Sequence, residues 1–300
     1  MNDAELFAEK GAIAVRGAFE VVWLERLAEG LERNLKNPSP YGCRYTKEGN
    51  PGAFVDDYCN WQRIPEYRDF IFGSGVGELA ARLMRSQRAR LFHEHVLVKE
   101  PGTREVSPWH QDQPYYCVDG EQVCSIWLPL DPVPRSVSPE FVAGSHLWGK
   151  LFTPRKFVDH RPYEGSLSEF ESVPDIDARR EEYEILSWDL EPGDCIVFHM
   201  KTLHGAPGTA EHRFRRRAFS TRWLGDDAVF ATRPFPTSPP FPELTLKPGE
   251  PMEHELFPVV WSSLEDDLLY GAEAVGSSTD GSTSADHDGA LHGDSSASGR

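Results

Sequence analysis

The chain has 300 residues, a length that fits one large domain with a tail better than two full domains. It carries 48 acidic and 31 basic residues, a net charge of −17, which disfavours binding to nucleic acid or to an anionic membrane surface. No apolar run approaches the roughly 18 residues that a membrane-spanning helix needs, and the acidic N-terminus does not resemble a signal peptide. Five cysteines without a C-x-x-C pair argue against disulfides and a thiolate zinc site. We therefore expect a soluble, cytoplasmic protein.

The first part of the chain, about residues 1–86, is expected to be mainly helical. Residues 11–16 (GAIAVR) have the character of a short strand. Apolar residues recur every three or four positions over 20–35 and predict an amphipathic helix there. A second helix is predicted over 66–86, with an interruption near residues 73–77.

From about residue 88 to 230 the pattern changes to strands. Segments 90–99, 122–130, 183–190, 194–199 and 216–224 are rich in strand-forming residues and are separated by turn signals such as Pro-Gly. Strands without alternating helices favour a β-sandwich or barrel over a Rossmann-type sheet. Residues 1–270 are thus predicted to form one domain, in which helices flank a barrel.

The last segment, residues 271–300, differs in composition from the rest. It is rich in serine, glycine and acidic residues and holds no aromatic residue. Such a composition cannot bury enough apolar surface to offset the entropy lost on ordering. We therefore predict a disordered tail.

Residues 109–113 (WHQDQ) hold the most informative motif. On a strand, His110 and Asp112 would share one face, and His204 follows a later predicted strand. Two histidines and one carboxylate on one side of Fe(II) form the facial triad of non-haem iron oxygenases. An H-x-D motif alone is a weak signal, so an ordinary core histidine remains an alternative. His93 and His95 form a rival pair, which we expect to line a pocket or pack instead.

A second signal is a strongly basic segment in this acidic protein, with five arginines between residues 213 and 222. A solvated charged edge or a contact with nucleic acid would be the simpler explanations, and the net charge weighs against the second. A buried guanidinium that binds a carboxylate with two hydrogen bonds is the more specific hypothesis.

Together these motifs resemble the phytanoyl-CoA dioxygenase family, whose members are Fe(II)- and 2-oxoglutarate-dependent oxygenases. The resemblance runs from about residue 11 to 224. It rests on WHQD (109–112), EPGD (191–194), HG (204–205) and RRAFS (216–220), with further matches at KEPGT (99–103), Trp127 and AGSH (143–146). It implies a mainly β fold, a double-stranded β-helix (a jelly-roll or cupin-like barrel) with flanking N-terminal helices.

The resemblance also implies roles for single residues. His110, Asp112 and His204 match the iron ligands of the family and would form its catalytic centre. Halogenation is not the expected reaction, because halogenases of this fold lack the carboxylate that Asp112 provides.

The cosubstrate site is implied in the same way. In the family, the arginine that binds 2-oxoglutarate stands two residues before an alanine, and Arg216 matches it by its position before Ala218. The number of residues after His204 favours Arg215 instead. Both assignments stay open. Trp127 and His95 match positions beside 2-oxoglutarate. Ala206 stands where the family often has serine, so one hydrogen bond to the cosubstrate is expected to be missing.

The implied activity consumes O2 and 2-oxoglutarate, releases succinate and CO2, and most commonly hydroxylates a small molecule. The sequence does not identify the substrate. Candidate pocket residues near the motifs are Tyr115, Tyr116, Trp61 and Glu140. A cupin-like metal-dependent isomerase or hydrolase and a non-catalytic binding protein on the same barrel remain alternatives. The oligomeric state is left open.

Overall fold

The computed structural model describes residues 1–46, 49, 51–156, 161–166, 169–208 and 214–264. The predicted tail, residues 271–300, lies outside these ranges, as does Arg213 of the basic segment. Within them, no helix is both long and apolar enough to cross a membrane.

The α-helices of the described residues all lie in the first 84 positions: α1 (Asp3–Lys10), α2 (Val21–Lys36), α3 (Pro65–Gly73) and α4 (Val76–Met84). The amphipathic helix predicted over 20–35 is confirmed as α2, which buries Leu24, Leu27 and Leu31. The helix predicted over 66–86 is divided into α3 and α4 at the predicted interruption. Gly75 has a positive φ of 81° there, a conformation that ends one helix before the next begins.

Two antiparallel sheets form the body of the protein. The strands are β1 (Ala12–Val15), β2 (Cys43–Arg44), β3 (Phe54–Tyr58), β4 (Arg88–Lys99), β5 (Ser107–His110), β6 (Val118–Asp119), β7 (Val123–Pro129), β8 (Glu140–Val142), β9 (Ile185–Leu186), β10 (Cys195–His199), β11 (His204–Ala206), β12 (Arg216–Leu224), β13 (Val229–Phe230) and β14 (Val259–Ser262). The large sheet has the order β1-β10-β7-β12-β4-β3-β2, with β14 also paired to β4, and the small sheet has the order β5-β11-β8-β9; β6 pairs with β13. The fold is a jelly roll with flanking N-terminal helices, as predicted.

The large sheet extends beyond the predicted barrel range of 88–230. The strands β1, β2 and β3 come from the mainly helical first part, and β14 comes from after residue 230. The sequence did not indicate β3, because aspartates at positions 56 and 57 are unusual inside a strand. Pairing of β3 with β4 along five residues overrides that preference. The strand predicted over 183–190 is reduced to the two residues of β9.

The main hydrophobic core lies between the helices and the outer face of the large sheet. Phe219 and Trp223 of β12 pack there with Leu27, Tyr67 and Phe70. Because side chains alternate along a strand, the intervening residues of β12 face the opposite way and line a cavity between the two sheets. The helices thus close one face of the sheet and leave the other for the candidate site.

Gly11 connects α1 to β1 and supports the turn that precedes His204. Its carbonyl accepts hydrogen bonds from the N–H of His199 and the hydroxyl of Thr202, both at 2.8 Å. Its φ is +75°, and a Cβ added there would lie 2.5 Å from Oγ1 of Thr202 and closer still to Nδ1 of His146.

Gly11→Ala is therefore expected to lower the free energy of unfolding by more than the roughly 1–3 kcal/mol that the backbone conformation alone costs. Chemical denaturation measures this. Gly17→Ala is the matched control, since Gly17 also has a positive φ (+56°) but nothing lies within 4 Å of its added Cβ. Equal losses in both variants would show that the contacts around Gly11 are unimportant.

Candidate active site

Strand pairing in the small sheet brings the two histidines of the predicted triad together. β5 ends at His110, β11 begins at His204, and the two residues are direct cross-strand partners. Asp112 is not on β5, so the expected strand geometry of the H-x-D motif is wrong. Instead the N–H groups of Asp112 and Gln113 both donate to the carbonyl of Met200, and this turn brings the Asp112 carboxylate back to the histidines.

The three side chains present one ligand atom each to a common point. Oδ1 of Asp112 lies 3.6 Å from Nε2 of His110 and 3.7 Å from Nε2 of His204, and all three residues are buried. Adjacent ligands about 2.1 Å from an octahedral ion lie about 3 Å apart, so a small inward movement would close the group around a metal.

Backbone carbonyls fix the orientation of both imidazole rings. Nδ1 of His110 lies 2.8 Å from the carbonyl of Pro108, and Nδ1 of His204 lies 3.0 Å from that of Thr202. A carbonyl only accepts, so Nδ1 carries the proton and Nε2 presents its lone pair toward the metal position. Burial, and then the neighbouring His110, lower the pKa of His204 to about 3, which keeps its ring neutral.

The Asp112 carboxylate is held by its other oxygen. Oδ2 accepts a hydrogen bond from the hydroxyl of Ser125 at 2.8 Å and lies 3.6 Å from Nη2 of Arg222. Burial alone raises the pKa of Asp112, but the charge of the nearby Arg222 guanidinium outweighs burial and moves the pKa below its usual range. The carboxylate is therefore ionised, with Oδ1 left for a metal.

Two imidazoles and one carboxylate, with no thiolate, form the donor set that suits non-haem Fe(II). In the described part of the chain this is the one cluster of three or more metal-binding side chains. The rival pair contributes no second cluster, because Nε2 of His95 hydrogen-bonds Asp56 at 2.8 Å instead. The residues present thus fit the ion that the sequence implied.

A cavity of about 340 Å³ lies between the two sheets and contains the triad in its wall. Of the other residues singled out in the sequence, Arg216, Trp127, His95, Tyr115 and Tyr116 also line it.

Trp61 and Glu140 are not in the cavity wall. Trp61 packs beside the outer core, where its ring lies 5.8 Å from that of Phe72. Glu140 binds Arg180 through two hydrogen bonds of 2.7 and 3.0 Å, while the next residue, Phe141, lines the cavity. Strand alternation in β8 therefore directs Glu140 away from the cavity. Its nearness to the motifs in sequence gave no information on this direction.

Arg216 and Arg215 lie on opposite faces of the sheet. Arg216 is buried, donates to the carbonyl of Val137, lies 5.9 Å from the ring of Trp127 and has no acidic partner among the described residues. Burial lowers its pKa to about 10. Arg215 instead pairs with Glu32 and, at 2.8 Å, with Glu100 outside the cavity. Arg216 thus supplies an uncompensated positive charge to the cavity.

A second buried basic side chain lies next to Arg216. Lys99 is its cross-strand partner on β4, and Nζ of Lys99 donates to the carbonyls of Glu105 and Pro207 at 2.8 and 3.2 Å. Burial, and then the charge of Arg216, lower the pKa of Lys99 to about 6. Since no carboxylate of the described residues neutralises Arg216, this end of the cavity is suited to an anion.

The sequence missed one side of the cavity. Tyr45, Asp56 and Tyr58 line it near β3, and Tyr163 and Ser238 line it from later loops. None of these residues lies in a recognisable motif. The available signal was the alternation within FVDDY at 54–58, which the two aspartates obscured.

Comparison with known proteins agrees with this arrangement. The family model "Phytanoyl-CoA dioxygenase (PhyH)" matches residues 7–218. A protein from Caenorhabditis elegans, described as a probable phytanoyl-CoA dioxygenase, is 22% identical over 180 residues, which are 58% of this chain and 54% of that protein. The chain therefore matches only about half the length of this relative.

Solved structures with a similar fold include SnoN, described as a non-heme alpha ketoglutarate dependent epimerase from nogalamycin biosynthesis. It is 19% identical, with a TM-score of 0.67 over 86% of this chain and 97% of that one. EctD from S. alaskensis, solved with 2-oxoglutarate and 5-hydroxyectoine, is 17% identical, with a TM-score of 0.59 over 83% of both chains. These likenesses concern the fold, and the family model covers most of the sequence. The chain belongs to the phytanoyl-CoA dioxygenase family.

Proposed function

We propose that this protein is a non-haem Fe(II)- and 2-oxoglutarate-dependent oxygenase that hydroxylates a small molecule and releases succinate and CO2. The observation that carries the proposal is the position of Arg216 in the same cavity as the two-histidine, one-carboxylate cluster. Its buried guanidinium has no acidic partner in the part of the chain that the structure describes. Family membership supports the same class of chemistry.

His110, Asp112 and His204 would hold the iron. When bound, Fe(II) and 2-oxoglutarate supply the oxidation of a substrate by O2. The protein contributes the fixed orientation of the three ligands: the carbonyls of Pro108 and Thr202 set the imidazoles, and Ser125 holds the carboxylate. Such supporting contacts keep ligands in place before the metal binds, which limits the reorganisation that binding requires.

Arg216 would bind the distal carboxylate of 2-oxoglutarate with its planar fork of N–H donors. Trp127 and His95 would flank the carbon chain, since both line the cavity with the triad. Ala206 also lines the cavity and offers no hydroxyl there, so the Arg216 guanidinium would contribute a larger share of the binding of 2-oxoglutarate. We assign no cosubstrate contact to Arg215.

The alternatives explain less of the site. A metal-dependent isomerase or hydrolase would use the same three ligands but gives no reason for an unpaired buried arginine, and a binding protein requires no open metal cluster. Hydroxylation is a more specific claim than dependence on Fe(II) and 2-oxoglutarate, because proteins of this fold include ones described as an epimerase and a carbocyclase.

The test is to load the protein with Fe(II) without oxygen, titrate 2-oxoglutarate, and then admit O2 with a panel of metabolites. We expect saturable binding of 2-oxoglutarate that requires the metal, and one succinate formed for each 2-oxoglutarate consumed. Failure of the Fe(II)-loaded protein to bind 2-oxoglutarate, or turnover with Zn(II) in the absence of O2, would favour a different metal enzyme.

A further inference from the structure

Aromatic rings make up much of the cavity wall. Five tyrosines line it: Tyr45, Tyr58, Tyr115, Tyr116 and Tyr163. Tyr115 connects these rings to the metal cluster, because its ring lies 5.9 Å from that of His110 in an edge-to-face arrangement. A molecule that packs against Tyr115 would therefore lie beside the metal position.

Tyr58 lies to the side of the path between Arg216 and the metal cluster. It pairs with His95 of β4, which pairs with Ser220 of β12. Ser220 stands between Arg216 and Arg222, the second of which contacts the metal cluster. Two strand spacings of about 4.8 Å put β3 roughly 10 Å from β12. The space in front of Tyr58 is therefore separate from the line along which 2-oxoglutarate would be held.

The protein itself uses the hydroxyl groups of four of the five tyrosines. Oη of Tyr58 lies 3.3 Å from Oγ of Ser238. The hydroxyl of Tyr115 donates to the carbonyl of Arg155 and accepts from the N–H of the same residue, both at 2.8 Å. The other two hydrogen bonds join Tyr45 to Asp56 and Tyr116 to Arg222. What these side chains present to a molecule in the cavity is therefore mainly the carbon surface of their rings.

Contacts with neighbouring residues hold two of these rings in place. The ring of Tyr58 is stacked on that of Tyr41, with centroids 4.9 Å apart and planes 11° from parallel. The N–H of Ser238 donates to the carbonyl of Tyr115 at 2.9 Å, so the serine that contacts Tyr58 also supports Tyr115. Rings that are already fixed lose little freedom when a ligand packs on them. Ring–ring pairs also gain more than their apolar area alone provides.

The buried charged groups near these rings already have partners. Nε2 of His95 lies 2.8 Å from Oδ2 of Asp56, and Nη2 of Arg222 lies 3.6 Å from Oδ2 of Asp112. Lys156 also lines the cavity, but it is exposed, so water keeps its charge hydrated. A charged substrate would lose its own hydration beside the rings without a buried partner to replace it, whereas a neutral one avoids that cost.

The volume of the cavity limits the size of the substrate. About 340 Å³ is near the lower end of ligand pockets, which span roughly 300–1,000 Å³, and 2-oxoglutarate would occupy part of it. A compact ring system fits the remainder, whereas a long acyl chain would extend out of it.

Building on the proposed function, we propose that the substrate is a compact, neutral molecule with a flat ring, which packs against Tyr58 and Tyr115 beside the metal position. A long-chain acyl thioester is not the substrate. Tyr58 determines specificity through its ring, and its hydroxyl serves only to hold that ring in place.

The experiment measures binding to the full chain loaded with Mn(II) and 2-oxoglutarate, and succinate release by the chain loaded with Fe(II). The neutral rings are α-tetralone and β-naphthol. Their counterparts are methyl hexyl ketone, an open chain of similar hydrophobicity to α-tetralone, the charged β-naphthoate, and octanoyl N-acetylcysteamine as an acyl thioester. We expect α-tetralone to bind roughly threefold or more tightly than methyl hexyl ketone, and β-naphthol roughly tenfold or more tightly than β-naphthoate. The neutral rings should also stimulate succinate release more than the thioester does.

Tyr58→Leu removes the flat ring and keeps an apolar side chain. It should lower the affinity for α-tetralone by about three- to tenfold, the range expected for one ring–ring pair, and that for methyl hexyl ketone by less than about twofold. Tyr58→Phe keeps the ring and should bind α-tetralone as the unmodified chain does. Tyr183→Leu is the matched control, since the ring of Tyr183 lies outside the cavity wall, 6.1 Å from that of Trp148. It should change neither affinity.

A preference for the thioester or for methyl hexyl ketone, tighter binding of β-naphthoate than of β-naphthol, no binding of either neutral ring, no loss in Tyr58→Leu, or an equal loss in Tyr58→Phe would each overturn the proposal. The comparison of compounds uses the unmodified chain, so it decides the question even if Tyr58→Leu does not fold.

Binding of the rings is also measured with Mn(II) alone. Ring binding without succinate release would overturn the proposed oxygenase and leave this inference standing. Succinate release that depends on 2-oxoglutarate, without binding of either ring, would overturn this inference alone.

Discussion

Arg216→Ala is expected to weaken 2-oxoglutarate binding by roughly 30-fold to several thousand-fold, because loss of one partner of a desolvated charge pair costs about 2–5 kcal/mol. The guanidinium is buried, lines the cavity and has no acidic partner among the described residues, so no neighbouring group replaces it. Titration of the Fe(II)-loaded variant with 2-oxoglutarate measures the effect.

Arg215→Ala is the matched control on the adjacent residue. Its side chain is 29% exposed and pairs with Glu32 and Glu100 outside the cavity, and such a pair is worth about 0–1 kcal/mol. Its 2-oxoglutarate affinity should stay close to that of the unmodified protein. A crippled Arg215→Ala variant beside a normal Arg216→Ala variant would reverse the assignment. If neither variant changes the affinity, the basic strand has another purpose and the oxygenase proposal rests on the iron ligands alone.

His110→Ala and Asp112→Ala are expected to abolish tight Fe(II) binding and all Fe(II)-dependent turnover, because each removes one of only three protein ligands. The fold should persist in both variants. His110→Ala should change the melting temperature little, whereas Asp112→Ala should lower it, because the buried Arg222 then loses its carboxylate partner. Metal content after reconstitution and circular dichroism measure the two effects separately.

Ser125→Ala gives a graded comparison. It removes the hydrogen bond to Oδ2 of Asp112 but leaves all three ligands, and loss of such a supporting contact typically costs about 10- to 100-fold in metal affinity. The expected order of metal affinity is therefore the unmodified protein, then Ser125→Ala, then the ligand variants. Full activity in both ligand variants would eliminate the triad as the metal centre.

The sequence indicated those parts of the protein that depend on local periodicity. The helical spacing of Leu24, Leu27 and Leu31 predicted α2, and the β-rich segment over 216–224 predicted β12 with its correct bounds. The candidate ligands were also accessible, because their residue types and order are a recognisable pattern. In each case neighbours in sequence carry the information, since a helix face and a strand face repeat every few residues.

Tertiary structure decided what depends on contacts between distant segments. The two-residue spacing of His110 and Asp112 suggested one strand face, whereas the convergence comes from pairing of β5 with β11 and from a turn bound to Met200. Nearness in sequence placed Trp61 and Glu140 by the site, whereas core packing and the pairing with Arg180 turn them away.

The same limit explains the side of the cavity that β3 and β4 form. Asp56 is far from every motif in sequence and lies in a segment whose aspartates oppose strand formation, yet pairing with β4 places it in the cavity beside His95. The chemistry of the metal centre could thus be inferred from residue types in order, because that order is a property of the chain. The shape and polarity of the cavity were decided only by the fold, because they arise where strands distant in sequence are hydrogen-bonded side by side.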